Sequence, residues 1–148
     1  MALRNWSWKS HFAGALAAGL AVWIAWAFIE DATVPVIVYG QEIVETPVVK
    51  RGDELRVLYP LRRLRSCPAT VHQWFFDARD QQYAIMPFEV EGRPLGLDRV
   101  ELAIEIPVEA AAGPARYQLV VTHECNVLGF FTMTHREVRP YQRFAIGF

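Results

Sequence analysis

Val100-Glu101-Leu102-Ala103-Ile104-Glu105-Ile106 is the stretch that decides the fold. Val100, Leu102, Ile104 and Ile106 recur at every second position, with Glu101 and Glu105 between them. A period of two belongs to a strand with one face in a core and the other in water; a helix repeats its apolar residues three and four apart. Pro107 ends the run, because it has no N–H to give to a ladder.

The same alternation extends in both directions. Upstream, Leu55, Val57, Tyr59 and Leu61 predict a strand with one buried face, and Pro60 predicts an edge position or a bulge. Val71 to Phe76 predicts another strand with Trp74 central. Asp77-Ala78-Arg79-Asp80 predicts a hairpin turn, and Gln82 to Met86 the return. Downstream, Val108 to Pro114 is turn-like. Tyr117, Leu119, Val121, His123 and Cys125 then share a face, and a last strand covers Arg139 to Phe148. Val34 to Val49, interrupted by Pro35, Gly40 and Pro47, reads as a stalk and first edge strand, with a turn at Lys50-Arg51-Gly52-Asp53. Roughly seven short strands with turn signals between them predict a mainly β chain, an immunoglobulin-like sandwich.

The N-terminus follows a different pattern. Phe12 to Ile29 contains no charged or strongly polar side chain. As a helix it is about 27 Å long, just enough to cross a hydrocarbon core. Trp6 and Trp8 precede the run, and Trp23 and Trp26 close it, as interfacial rings do. Arg4 and Lys9 flank its start, and Glu30 and Asp31 its end. Basic residues stay on the cytoplasmic side, so the expectation is a single-pass signal anchor, N-terminus in the cytoplasm and the rest exported. In a Gram-negative host that means an inner-membrane span and a periplasmic domain. Ala25-Trp26-Ala27 also fits a signal-peptide cleavage pattern, and cleavage after Ala27 would leave a soluble exported domain. Ala13, Ala17, Ala21 and Ala25 form a small-residue stripe that would let another helix approach closely. The expected organisation is a cytoplasmic tip and transmembrane anchor over 1–30, a stalk and first edge strand over 31–50, and the sandwich over 51–148.

Export bears on the cysteines. Cys67 and Cys125 are an even pair in an oxidising compartment, which predicts a disulfide. A loop of that length would contribute about 4 kcal/mol. The order Cys67, Trp74, Cys125 resembles that of the immunoglobulin fold. In antibody domains the corner tyrosine lies two residues before the second cysteine. Tyr117 stands further upstream, so the bond is expected to join a strand end to a loop rather than to pin the core. At closer range, Cys67-Pro68-Ala69-Thr70-Val71, Gly113-Pro114-Ala115-Arg116-Tyr117 and Cys125-Asn126 resemble uncharacterised bacteriophage and prophage membrane proteins. Those proteins carry an N-terminal span and a small β domain. The resemblance covers 50–148 and implies a viral or prophage origin, with no activity attached.

The chemistry-bearing residues are few. Cys67, His72, His123 and Cys125 are a donor set suited to zinc or copper. Their spacing is not a standard zinc spacing, and oxidised sulfur cannot ligate as thiolate, so neither metal nor cofactor is expected. A free cysteine beside His123 would be a nucleophile, but no nucleophile elbow, Gly-rich loop or paired-carboxylate motif accompanies it. No catalytic residue is therefore expected. Arg62, Arg63 and Arg65, with Lys50, Arg51 and Arg56 upstream, offer contact to an anionic partner; the plainer account is a solvated edge strand. Phe130 and Phe131, in Val127-Leu128-Gly129-Phe130-Phe131, suit an exposed contact loop or a tuck into the core. The formal net charge of −1 gives no global attraction to nucleic acid. Expected partners are the bilayer, an unidentified membrane or envelope protein, and a helix packed on the alanine stripe, with no nucleic acid. The expected function is a non-enzymatic, membrane-tethered protein-interaction module. The alternatives are a structural or accessory subunit of a larger membrane complex and a periplasmic metal-handling protein.

Overall fold

The computed structural model describes residues 6–33, 35–127 and 131–147. The chain divides into two compact units, Met1–Val34 and Pro35–Phe148. The first is a helix, α1 (Trp6–Thr33), which continues beyond the expected span at both ends. Its stretch His11–Glu30 is long and apolar enough to cross a membrane. Ala13, Ala17, Ala21 and Ala25 are all exposed on it.

The second unit is β throughout. Among the described residues its strands are β1 (Ile37–Tyr39), β2 (Ile43–Val44), β3 (Val48–Lys50), β4 (Glu54–Arg63), β5 (Ala69–Phe76), β6 (Gln82–Val90), β7 (Gly96–Glu105), β8 (Gly113–Val127), β9 (Phe131–Val138) and β10 (Gln142–Gly147). They form two open sheets. In the first, β4 is central: β7 pairs along its whole length on one side, and β1 and β2 share the other. In the second, β8 is central: β5 lies on one side, with β6 beyond it, and β10 and β9 share the other. β3 adds to β10 as the parallel edge.

The two sheets share one core. Leu55, Val57 and Tyr59 of β4 and Ile104 of β7, with Ile106, meet Val71 and Phe75 of β5, Tyr117 and Leu119 of β8, and Phe144 and Ile146 of β10. The alternation around Val100–Ile106 thus translates directly: even positions turn inward, and Glu101 and Glu105 are exposed. Burial of these aliphatic and aromatic side chains, each worth about 1.5–3 kcal/mol, is what holds the layers together.

Two expectations change. The stretch expected as a stalk belongs to the β unit from Pro35 on: Val36, Ile37 and Val49 are buried, and three short strands run through it. Pro60 marks neither an edge strand nor a pairing break with β7, where it lies opposite Arg99. On the other side of β4 it falls where β1 hands over to β2, so its missing N–H removes no ladder bond from either short strand. Its carbonyl accepts from Gly40 N–H at 2.7 Å, and a Cβ on Gly40 would sit 3.3 Å from that oxygen.

Asp77 organises the turn after β5. Its buried carboxylate accepts from the N–H groups of Arg79 (2.8 Å), Gln81 (3.0 Å) and Ala111 (2.8 Å), and from the Tyr83 hydroxyl (3.3 Å). Burial opposes the charge, but these backbone donors and the nearby Arg79 guanidinium outweigh it and hold the carboxyl below the usual carboxylate range. The bond to Ala111 ties this turn to the loop before β8. There Gly113 takes φ 129°, and a Cβ on it would lie 2.9 Å from the Ala78 Cβ.

Replacing Asp77 with Asn should lower stability at neutral pH by about 3 kcal/mol, because an amide N–H₂ then faces backbone donors. A group whose folded pKa is depressed contributes above its unfolded value, near pH 4, and loses that contribution as pH falls through the folded value. Urea denaturation of wild type and Asp77→Asn should therefore converge at acid pH; a gap that persists unchanged in acid contradicts the assignment.

Candidate functional site

β5 and β8 carry the cysteines into register. Ala69 lies opposite His123, and Glu124 N–H donates to Pro68 C=O at 2.9 Å, which sets Cys67 beside Cys125. The two are bonded, with Cα atoms 4.9 Å apart. The bridge joins the segment just before β5 to a residue within β8, and Cys125 is buried in a small hydrophobic cluster, so the bond does more than tie a strand end to a loop. Both sulfurs are spent in it, so neither thiolate ligation nor a cysteine nucleophile is available. His72 and His123 also part company. His123 belongs to the inward row of β8, whereas His72 lies between the inward-facing Val71 and Gln73.

The parity of β4 divides the arginines in the same way. Arg62 is exposed, Arg63 is buried and Arg65 is half-buried past the strand end. Arg63 turns into the space between the sheets, where Nε and Nη2 donate to Asp98 Oδ2 at 3.1 and 3.0 Å. Asp98 occupies the inward row of β7, two residues before Val100. Burial opposes its charge, but the Arg63 bond and the Arg99 N–H hold its carboxyl below the usual range. The three arginines therefore do not share one exposed face. Phe130 lies outside the described residues, and Phe131 opens β9, opposite Val127. The expected apolar loop is thus shorter than drawn, because β9 was not foreseen: its Thr132-Met133-Thr134-His135-Arg136 alternates too weakly in hydrophobicity to announce a strand.

What the inward rows create beside the disulfide is a cavity of about 380 Å³ between the sheets. Leu61, Val71, Leu119, Val121 and Leu102 give it an apolar wall. Tyr59, Arg63, Gln73 and His123 also line it. Tyr117 donates its hydroxyl to Gln73 Oε1 at 3.1 Å. The Tyr59 hydroxyl shares a side-chain hydrogen bond with that of Tyr117. Burial pushes the phenols of both above the usual range. His123 is 1% exposed, and neither ring nitrogen has a hydrogen-bond partner among the described residues. Burial, with Arg63 and His135 adding positive charge nearby, lowers its pKa to about 4. It is therefore neutral at neutral pH, one nitrogen a donor and the other an acceptor.

A larger, shallower hollow of about 640 Å³ lies around Pro60, with Val38, Gly40, Arg62 and Leu97 in its lining. None of its lining side chains is among the buried polar groups left without a partner. The inter-sheet cavity is the better candidate on that ground.

No family model and no curated protein matches this chain. Two solved structures are similar in outline. One is the Pseudomonas fluorescens alkylpurine DNA glycosylase AlkC bound to DNA containing an abasic site analog, at 10% identity and TM-score 0.48, covering 78% of this chain and 31% of that one. The other is the Bacillus subtilis sporulation control protein Spo0M, at 12% identity and TM-score 0.37, covering 76% of this chain and 50% of that one. This chain spans half or less of the length of each. The expectation of no nucleic acid among the partners is withdrawn, since it rested on net charge alone, which does not exclude a local contact; the first of these neighbours is a DNA-bound protein. At these TM-scores the likenesses carry no argument for what this chain binds.

His123 makes a measurable claim. Its folded pKa, near 4, lies below the unfolded value near 6.5. Below pH 6.5 the unfolded chain takes up the proton first, so stability should fall as pH drops from about 6.5 to about 4, by about 3 kcal/mol in all. Chemical denaturation across that window should show the loss, and His123→Phe should flatten it. An equal slope in the variant would mean that another group carries the titration.

Proposed function

We propose that this chain is a single-pass membrane protein that holds an immunoglobulin-like β unit on the exported side as a non-enzymatic protein-interaction module, of phage or prophage origin. The observation that carries the reading is the Cys67–Cys125 bond in a unit that follows an apolar helix. Disulfides form and persist in oxidising compartments, so a bonded β unit accords with export across the membrane that the helix would span. The positive residues before the span and the acidic ones after it agree with that direction. Two facing sheets with a shared core and turns at both ends support the immunoglobulin-like assignment. The bridge departs from that family's inter-sheet position, since it joins neighbours within one sheet.

Two measurements test the reading. A phosphatase reporter fused after Phe148 should be active on the exported side only; activity in the cytoplasm overturns the topology. In intact membranes Cys67 and Cys125 should resist alkylation until a reductant is added, and Cys67→Ala/Cys125→Ala should lose about 4 kcal/mol of stability. Free thiols in the membrane-bound protein would remove the argument for export.

A further inference from the structure

The outward face of the first sheet is polarised along its strands. At one end Val38 of β1, Arg62 of β4 and Leu97 of β7 form a cross-strand row, and Pro60 and Arg99 stand in the next. Leu97 is 89% exposed, and Leu95, just before β7, is 63% exposed. Arg62 and Arg99 are exposed as well. Their cross-strand neighbours are Val38, Leu97 and Pro60, and neither guanidinium pairs with an acidic side chain among the described residues. The two are diagonal neighbours on one face, so their potentials add. Of the other charges at this end, Asp98 and Glu91 are matched in number by Arg63 and Arg93. The far end of the same face is acidic: Glu54 lies opposite Glu105, and Arg56 alone serves both Glu54 and Glu101.

The basic end is also the end at which the chain enters the β unit. Ile37, the first residue of β1, pairs with Arg63, and so does Gly96, the first residue of β7. Ile37 follows Thr33, the last residue of α1, by four positions, a tether that reaches at most about 14 Å. We propose that this end of the sheet rests on the anionic phospholipid surface of the membrane that α1 spans, with Arg62 and Arg99 on headgroup phosphates and Leu95 and Leu97 among the upper acyl chains. A guanidinium matches a phosphate in shape as well as charge, and leucine gains by leaving water. Singly exposed leucines are ordinary, but Leu95, Leu97 and Val38 gathered around two unbalanced arginines make a contact surface. The short tether favours lipid over an acidic protein, because the bilayer is the anion source always within its reach. The inference rests on the membrane-spanning reading of α1.

The test uses the full chain in nanodiscs of phosphatidylcholine, alone or with phosphatidylglycerol, and hydroxyl-radical footprinting read by mass spectrometry. Leu95 and Leu97 should be oxidised about fivefold less in the anionic discs, the factor that one arginine near such a surface contributes. Met86, 85% exposed on β6, should be oxidised equally in both and serves as the control. Arg62→Gln/Arg99→Gln should abolish the difference between the lipids, with Met86 oxidation and the Cys67–Cys125 bond confirming that the variant is folded. Equal oxidation of Leu97 in the two discs, or protection that the double variant keeps, would overturn the proposal. Duplex DNA that protects Leu95 and Leu97 in the phosphatidylcholine discs would assign the face to nucleic acid and overturn it too. A chain that fails to co-purify with the discs sinks the membrane reading and this inference together; a chain retained in them with Leu97 unprotected sinks this inference alone.

Discussion

The side-chain parity of β4 is the constraint on which the rest of the β unit depends. This strand pairs with β7 along its full length and with β1 and β2 on its other edge, so its register fixes the first sheet. One row, Leu55, Val57, Tyr59, Leu61 and Arg63, enters the interior, and the other, which includes Arg56 and Arg62, meets water. A slip of one residue would exchange the rows, putting Arg56 into the hydrophobic centre and Leu55 into solvent. The cost of burying an unpaired guanidinium makes that slip prohibitive. Arg63 alone is tolerated inside, at the end of its row, because the inward row of β7 brings Asp98 to meet it.

The interior is consequently graded along the strands. At one end Leu55, Ile104, Ile106, Phe75, Phe144 and Ile146 fill the space between the sheets with apolar side chains. At the other, the inward rows carry Arg63, Asp98 and His123, and the disulfide links the neighbouring β5 and β8 ends beside them. Polar side chains that already have fixed partners cannot rearrange to fill a gap. The cavity thus lies where the rows change character, and the bridge holds β5 to β8 there within a smaller apolar cluster of Val36, Ile37, Leu61 and Cys125.

Much of this was legible from the period of two. The inward faces of β4, β7 and β8 and the hairpin at Asp77 all follow from apolar residues at alternate positions and turn-forming residues between them. The disulfide followed from cysteine count and the apolar N-terminal run. What the sequence hid has identifiable causes. β1, β2 and β3 are two or three residues long, too short for a period to show, and their prolines suggest a stalk. β9 has no apolar alternation, because it pairs at the edge of its sheet. The arginine run looked like one patch because charge is counted along the chain, while a strand deals successive residues to opposite faces. Applied to Arg62 and Arg63, the same alternation that predicted the strand would have separated them. The site was hidden for a deeper reason: His123 was visible only as a neighbour of Cys125, and nothing in sequence spacing reveals that Tyr59 faces it from the other sheet.

That juxtaposition bears on why the interior is built this way. An unpartnered buried donor or acceptor costs about 1–3 kcal/mol, a large share of the margin by which a domain of this size is stable. An aliphatic residue in place of His123, whose ring nitrogens have no hydrogen-bond partner among the described residues, would remove that cost. A core selected for stability alone would use one. A buried, neutral imidazole at this end of the interior is thus a departure from the packing that stability alone would select. A cavity between the sheets forfeits packing contacts, and the covalent link beside it, which constrains the unfolded chain, offsets that loss without occupying any of the space.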